Sequence, residues 1–433
     1  MLNLTGKTLL VMDRTALAAC AVRRARELGC KTIVANFYPT EDSPSKQIAD
    51  VAIDIDISHT DEMLALIKEY HVDGIFVGWT DSHLPFYADI CEKAGLPCVG
   101  TKEQFEILSN DKRAFKRCCE TYGVPVPATY RLTMDFARED LDKIEYPVIV
   151  KPADESGSRG IRKCLNEQEL IENYTWLYHR SRSKKIFVEQ YIDSTQEVFI
   201  HYTMKDGQYS LSSAFMKHRA QNENGVAASC LLHVFPITCL DHYRKVAEPA
   251  VLAMMKGLGL QYGAINFQGS LMGEKFYFYE SGLRMGGEQH YVFGSVLNGV
   301  STLDLMIEFA LTGRMDSADL LALDNPYYSK PCVNYYVTLR PGTITSIAGI
   351  EEVEKMPQVL QNATFKKIGD TIEPSNNLDR VIYRLHVMDD TPEQLAKTLE
   401  TISHTLHILD ENGHEMQLEV VTYDRALDML SNS

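Results

Sequence analysis

The chain has 433 residues, 45% hydrophobic and 24% charged, an ordinary globular balance spread over more length than one compact core usually spans. A formal net charge of −16 argues against nucleic acid or an anionic membrane as the main partner, because both reward a basic face. Ten cysteines are scattered without CxxC pairs, and Cys118 and Cys119 are simply adjacent. That spacing indicates neither a zinc site nor a disulfide framework, so a reducing cytoplasm is the expected compartment. No apolar run approaches the roughly 20 residues needed to cross a bilayer. The N-terminus leads straight into a strand-like run without a signal-peptide layout.

The first hundred residues alternate strand and helix signals. Thr8–Met12 is a short apolar run of buried-strand type, and Leu17, Cys20, Ala21, Ala25 and Leu28 follow at helical spacing, with Gly29 where a C-cap belongs. Thr32–Ala35 and Val51–Ile55 read as strands, Met63, Leu64, Ile67 and Tyr70 as a helix face, and Gly74–Gly78 as another strand. A last helix and Pro97–Gly100 close the unit. Elements alternating at these lengths predict an α/β unit, a parallel sheet with helices on both faces. A dinucleotide site is not expected, because Asp13-Arg14-Thr15-Ala16 follows the first strand with no glycine to admit a pyrophosphate. The sheet is expected to form one wall of a larger active site.

From about residue 105 the texture changes. A helical stretch around Asn110–Arg113 leads into the turn-rich Gly123–Pro127, and strand–loop regions follow near 146–163 and 186–204. Alternating strands near 263–280 end in a glycine-rich turn. Beyond Pro331 come strand signals at Tyr335–Leu339, Thr343–Ile347 and Val381–Val387, a helix over 392–404, and a turn at Leu409–Gly413. No internal repeat or low-complexity segment is evident.

Three elements carry chemistry. In Tyr146–Ile161 a strand delivers Lys151, and the loop Ser156, Gly157, Ser158, Arg159, Gly160 follows. Its glycines let backbone N–H groups approach an anion while Lys151 offers a point charge; an ordinary hairpin with a flexible turn has the same appearance. In Ile186–Ile192, Glu189 lies between apolar neighbours, where a carboxylate can accept the exocyclic amine of adenine while nearby backbone groups read the ring edge. The alternative is a solvent-facing Glu on an edge strand. Glu197 suits a ribose hydroxyl or a surface Lys. Lastly, Gln268 is followed at +12 by Glu280 and four residues later by Arg284. Hard oxygen ligands from adjacent strands suit Mg²⁺, and Arg284 could hold a phosphoryl group or a carboxylate in a bidentate fork; a surface Glu–Arg pair is the competing interpretation. Met285-Gly286-Gly287-Glu288 then permits close backbone approach to a ligand.

Taken in this order, the elements resemble the ATP-grasp superfamily over nearly the whole chain. Asp111-Lys112 looks like its first nucleotide-binding lysine, and Lys151 with the Ser156–Gly160 loop looks like its second lysine and phosphate cover. Glu189, Gln190, Tyr191 and Ile192 match the adenine hinge, and Glu280-x-x-x-Arg284 the metal and phosphate end. Pro341–Ile344 and Asp410–Gly413 resemble the C-terminal part of carbamoyl-phosphate-synthetase-like and biotin-carboxylase-like members. Two positions depart from the pattern: Gly282 stands where Asn is usual, and Gln268 where Glu is common.

The resemblance implies a pre-ATP-grasp α/β domain over 1–104, an α+β ATP-grasp domain over 105–313 with its lid at about 120–195, and a C-terminal part over 314–433 packing on that core. It implies ATP and Mg²⁺ as cofactors, with Mn²⁺ as an alternative metal. Nucleotide contacts are then expected from Lys112, Lys151, Ser156–Gly160, Glu189–Ile192 and Glu197, metal contacts from Gln268 and Glu280, and catalytic roles for Arg284 and Arg219. The expected activity is ATP-dependent joining of a small carboxylate to an amine through an acyl phosphate. Arg219 is the preferred substrate contact, with Lys217 and His218 equally suited to a solvated turn and His290 and Tyr291 at the other rim. A homodimer is a family-level expectation. The competing functions are a carboxylation or carbamoyl-phosphate enzyme and a non-catalytic ATP-binding protein.

Overall fold

The computed structural model describes residues 2–152, 161–192, 196–220, 230–374 and 378–433. Four parallel strands open the chain: β1 (Thr8–Val11), β2 (Lys31–Asn36), β3 (Val51–Asp54) and β4 (Gly74–Phe76). Their order is β3-β2-β1-β4, so the chain steps outward from β1 and then crosses to its other side. That reversal leaves a crevice at the carboxyl ends of β1 and β4, the place where open α/β sheets hold ligands. β1 and β4 are buried along their length, as expected of strands covered on both faces.

A small antiparallel sheet follows, formed by β5 (Thr129–Tyr130), β6 (Val148–Pro152), β7 (Arg162–Cys164) and β8 (Ile186–Gln190) in the order β5-β8-β6-β7. The helix Glu167–Arg180 packs Leu170, Tyr174 and Leu177 against Val148, Val150 and Val188, giving this unit a core of its own. Asn166 caps that helix, accepting from the Glu169 N–H at 3.0 Å.

The largest element is one antiparallel sheet of eight strands. It contains β9 (Glu197–Lys205), β10 (Gln208–Arg219), β11 (Cys230–Phe235), β12 (Gly263–Met272), β13 (Lys275–Gly282), β14 (Cys332–Thr338), β17 (Val359–Thr364) and β19 (Val381–Met388). The order is β13-β12-β9-β10-β11-β14-β19-β17. The strand expected over 343–347 is instead two short pieces, β15 (Gly342–Thr343) and β16 (Ser346–Ala348). They pair with β18 (Thr371–Ile372) and β20 (His407–Leu409). Thr345 ends the run between them because its N–H and hydroxyl both donate to Leu409 O, at 2.9 and 3.2 Å.

Residues directly opposite each other across antiparallel strands share a face, so register decides what the sheet presents. Glu280 opposes Gln268, and Asn266 opposes His201. Glu197 opposes Lys217, and Lys217 opposes His233. His233 opposes Asn334, Asn334 opposes His386, and Tyr336 opposes Arg384. One face therefore carries a polar stripe from β13 across to β19. Each of these residues on an interior strand would be costly to bury unless it found a partner.

The N-terminal sheet and the large sheet share one hydrophobic core. Gly74 packs tightly on the helix Thr302–Thr312, where an added Cβ would stand 1.9 Å from Ala310 O. Only hydrogen fits there. Gly74→Ala is expected to cost roughly 3 kcal/mol, the upper end for overpacking, read as a lowered urea midpoint; an unchanged midpoint would show that this contact does not hold the two units together.

Candidate active site

The site is built where the crevice of the N-terminal sheet meets the polar face of the large sheet. Just past β4, Asp81 takes the Arg284 guanidinium in a fork, Nε and Nη2 donating to its two oxygens at 2.7 Å each. Burial alone would lower the Arg284 pKa, but Asp81 outweighs it and the pKa is raised, so the charge is permanent. Trp79 donates its indole N–H to Gly286 O at 3.2 Å, and Thr80 donates to the buried carboxylate of Asp13 at 2.7 Å. The crevice thus grips the segment that follows Arg284.

At the same β13 edge, Gln268 and Glu280 face one another across β12 and β13, within electrostatic reach of Arg284. Lys112 reaches Glu280 at 3.3 Å from the start of the helix Lys112–Tyr122. Asp111 caps this helix, accepting from the Arg113 N–H at 2.7 Å. The cap aims Lys112 into a cleft that it shares with Ser109, Phe115 and Glu280. A carboxylate and an amide oxygen side by side are a hard-oxygen donor set, and they fit Mg²⁺ provided that nucleotide oxygens and water complete the octahedron. Gln268 also donates through Nε2 to Glu197, which leaves its Oε1 as the amide's ligand atom.

Lys151 donates to Glu189, and Lys116 reaches the same carboxylate at 3.3 Å. Burial would raise the Glu189 pKa, yet the two lysines pull it below its ordinary 4.5. Burial lowers the Lys116 pKa against the attraction of Glu189. Two ammonium groups on one carboxylate leave a surplus positive charge inside a partly dry cleft, which suits an anion. Lys116 escaped the sequence reading. The signal was present, since it lies four residues after Lys112 on the same helix face.

The hinge residues are placed by main-chain bonds. Gln190 donates to Ala128 O at 2.8 Å and Tyr191 to Pro147 O at 3.0 Å, while Lys163 lies over the Tyr191 ring, 3.8 Å from its centroid. Ile192 follows at the strand's end. Ser156, Gly157, Ser158, Arg159 and Gly160 lie outside the described residues. Glu197 and Arg219, expected at a ribose and at the substrate, are brought to each other: the guanidinium reaches Glu197 at 2.7 Å, with Lys217 at 3.3 Å. Tyr279 adds a hydroxyl at 3.3 Å. Glu197 is 2% exposed, so it is a buried hub and not a surface carboxylate. His218 turns away to Ser433, at 2.7 Å.

A second polar cluster was not visible in the sequence. Glu288 is 5% exposed, and one carboxylate oxygen lies 3.0 Å from both His201 Nε2 and His290 Nδ1. Burial would raise the Glu288 pKa, but the two histidines bring it well below 4.5; burial lowers that of His201. An ionised carboxylate between imidazoles results. The three ligand atoms could also hold a cation, but Arg284 lies within electrostatic reach of His201 and disfavours added positive charge. Gly286 makes the packing possible, since a Cβ there would stand 2.1 Å from a Glu288 carboxylate oxygen. Between the two clusters, Phe199, Phe215 and His233 stack at centroid distances of 4.5 and 4.2 Å.

This geometry has counterparts. Residues 111–306 match the family model for the carbamoyl-phosphate synthase L chain ATP binding domain, and residues 335–409 match L-amino acid ligase C-terminal domain 2. Residues 111–306 therefore carry an ATP-grasp-type ATP-binding domain. The 2-oxoglutarate carboxylase small subunit of Hydrogenobacter thermophilus is 28% identical over 211 residues, covering 44% of this chain and 44% of that one. A carbamoyl phosphate synthase large chain from Kineococcus radiotolerans is 26% identical over 58% of this chain and 23% of its own length. The chain therefore spans less than half the length of these relatives. Among solved structures, phosphoribosylglycinamide synthetase from Anaerococcus prevotii superposes with a TM-score of 0.76 at 20% identity, over 94% of this chain and 99% of that one. L-amino acid ligase from Bacillus licheniformis gives 0.75 at 20% identity, over 94% and 100%. The ATP-grasp fold expected from the sequence is the fold observed.

Among the described residues no single helix is long and apolar enough to cross a membrane. All ten cysteines are free.

Replacing Glu189 by Gln would leave two lysines without their counter-charge. The expected loss is about 1–3 kcal/mol near neutral pH, measured by urea unfolding. Because the folded-state pKa of Glu189 is depressed, its contribution is present above the ordinary 4.5 and is lost as pH falls through the lower folded value. The gap between wild type and Glu189→Gln should therefore close in acid and not in base.

Proposed function

We propose that this ATP-grasp protein is an ADP-forming ligase that activates a small carboxylate as an acyl phosphate and transfers the acyl group to an amine. The observation that carries the proposal is the convergence of Lys112, Gln268, Glu280 and Arg284 where the polar face meets the crevice of the N-terminal sheet. Binding a nucleotide alone would need the lysines and not the carboxylate–amide pair with a guanidinium beyond it.

In this proposal Lys112 and Lys151 neutralise nucleotide phosphates, and Glu189 and the Gln190–Ile192 backbone receive the base. Gln268 and Glu280 would hold Mg²⁺, which supplies charge neutralisation on the transferring phosphoryl group. Arg284, oriented by Asp81, faces the equatorial oxygens or the acid's carboxylate, and its two fixed bonds remove the cost of ordering it during reaction. Glu288, ionised and held by two histidines, offers the amine's N–H groups a hydrogen-bond acceptor. The loop Ser156–Gly160, with Arg159, is assigned to covering the phosphates. The Glu197–Lys217–Arg219 hub is assigned to the nucleotide and acid side of the face.

The match to an L-amino acid ligase C-terminal domain and the likeness to two C–N ligases support this assignment. Biotin carboxylase domains bound to bicarbonate, among the structural neighbours, keep bicarbonate as a second candidate acid. A homodimer is proposed because one structural neighbour is a biotin carboxylase domain dimer with MgADP. Free cysteines support a reducing, cytoplasmic setting.

Release of ADP from MgATP against a matrix of acids and amines, with product masses, tests the proposal. ADP release that requires one acid–amine pair and yields the condensed mass is expected. Release that needs bicarbonate and no amine would replace the ligase by a carboxylase. Lys151→Ala should lower turnover at least roughly 100-fold while the protein stays folded; full turnover by this variant would remove Lys151 from the site.

A further inference from the structure

A cavity of about 310 Å³ opens on the small antiparallel sheet, lined by Thr129, Tyr130, Arg131, Glu139, Asp140 and Lys143. None of these residues has a place in the site described above. Thr129 and Tyr130 form β5, the edge strand of that sheet, and Glu139 and Asp140 lie on the helix Arg138–Leu141. The volume is at the small end for ligand pockets and suits a molecule of a few carbon atoms.

Charge decides what fits. Four of the six lining residues are charged, two of each sign. Lys143 and Asp140 pair at 3.6 Å. Among the described residues, the side chains of Arg131 and Glu139 make neither a hydrogen bond nor an ion pair. They line one cavity without meeting, so it offers one free cation and one free carboxylate held apart. A simple anion would be drawn to Arg131 and repelled by Glu139, and a simple cation the reverse. A zwitterion satisfies both. One exposed ion pair contributes little in water, whereas two charge-assisted bonds to one ligand in a concave wall reinforce each other.

The cavity also lies one strand from the hinge. Thr129 opposes Glu189, and Tyr130 opposes Val188. Gln190 donates its N–H to Ala128 O at 2.8 Å, and its side-chain oxygen accepts from the Ala128 N–H at 3.3 Å. β5 has only two residues, so few bonds hold it. A ligand that bridges Arg131, just past β5, to Glu139 on the helix fastens β5 against the strand that carries Glu189.

We propose that this cavity is a regulatory site for a small zwitterion, a molecule with a free ammonium and a free carboxylate, and that its occupancy tightens nucleotide binding at the hinge. Arg131 takes the carboxylate and Glu139 the ammonium. The coupling, though not the site, rests on the assignment of Glu189–Ile192 to the base. No bond forms or breaks. Coupling between two sites is reciprocal, so the nucleotide tightens the zwitterion by the same factor.

The test titrates glycine, β-alanine, γ-aminobutyrate and ε-aminocaproate into the full-length protein by calorimetry, each beside its primary amide and its N-acetyl derivative. At least one of the four should bind with a Kd near or below about 1 mM. Its amide and N-acetyl forms, each lacking one charge, should bind at least roughly 10-fold more weakly. Arg131→Glu and Glu139→Arg should each abolish binding. The double exchange should restore it, because the reversed pair accepts the zwitterion turned end for end. Both side chains are exposed, so neither substitution disturbs a buried contact. Saturation with the best binder should lower the Kd for MgATP about 10-fold, and saturating MgATP should lower the Kd of the zwitterion equally. No binding by any of the four, or binding that survives both single exchanges, overturns the site. A bound zwitterion that leaves the Kd for MgATP unchanged overturns the coupling. If MgATP does not bind at all, the nucleotide assignment fails instead, and the zwitterion titrations alone decide the site.

Discussion

The continuity of the eight-stranded antiparallel sheet is the constraint on which the rest of the molecule depends. Because opposed residues share a face, one register places Glu280, Gln268, Glu197, Lys217, His233, Asn334 and His386 on a common surface. Slipping any one pairing by a residue would turn that strand's polar side chains to the opposite side. The cost of burying them without partners then defends the register. Function and folding specificity are coupled here through the same residues.

Charge around the site is organised in small, nearly neutral groups. Glu189 gathers two lysines, Glu197 gathers a lysine and an arginine, and Asp81 matches Arg284. Each group is fixed by at least one short bond, so the donors are ordered before a ligand arrives and need little reorganisation. The two-lysine and lysine–arginine groups carry surplus positive charge, which explains how a chain of net charge −16 can still attract a nucleotide locally. The stacked Phe199, Phe215 and His233 lie on the same face, and His201 of the Glu288 cluster continues the stack on Phe215 at 5.6 Å.

Segment 285–290 is held from two directions. Trp79 of the N-terminal unit donates to Gly286 O, and Asn334 and His386 of the C-terminal strands donate to Glu288 O. Neither source is near in sequence. From the C-terminal part, β14, β17 and β19 continue the large sheet itself.

The sequence by itself determined the fold class and the alternating elements of the parallel N-terminal sheet, and it named Lys112, Lys151, Glu189, Gln268, Glu280 and Arg284 as candidates. The elements were legible from local periodicity, and the candidate residues from the order of motifs that carries the family resemblance. Only the tertiary structure decided that Glu197 meets Arg219, that Asp81 orients Arg284, and that Glu288 lies between His201 and His290. It alone revealed the cavity that Arg131 and Glu139 line beside β5. The reason is physical. A sequence shows that a strand alternates faces, but which face is buried, and which distant strand opposes it, is set by hydrogen-bond register across a sheet assembled from segments far apart in the chain.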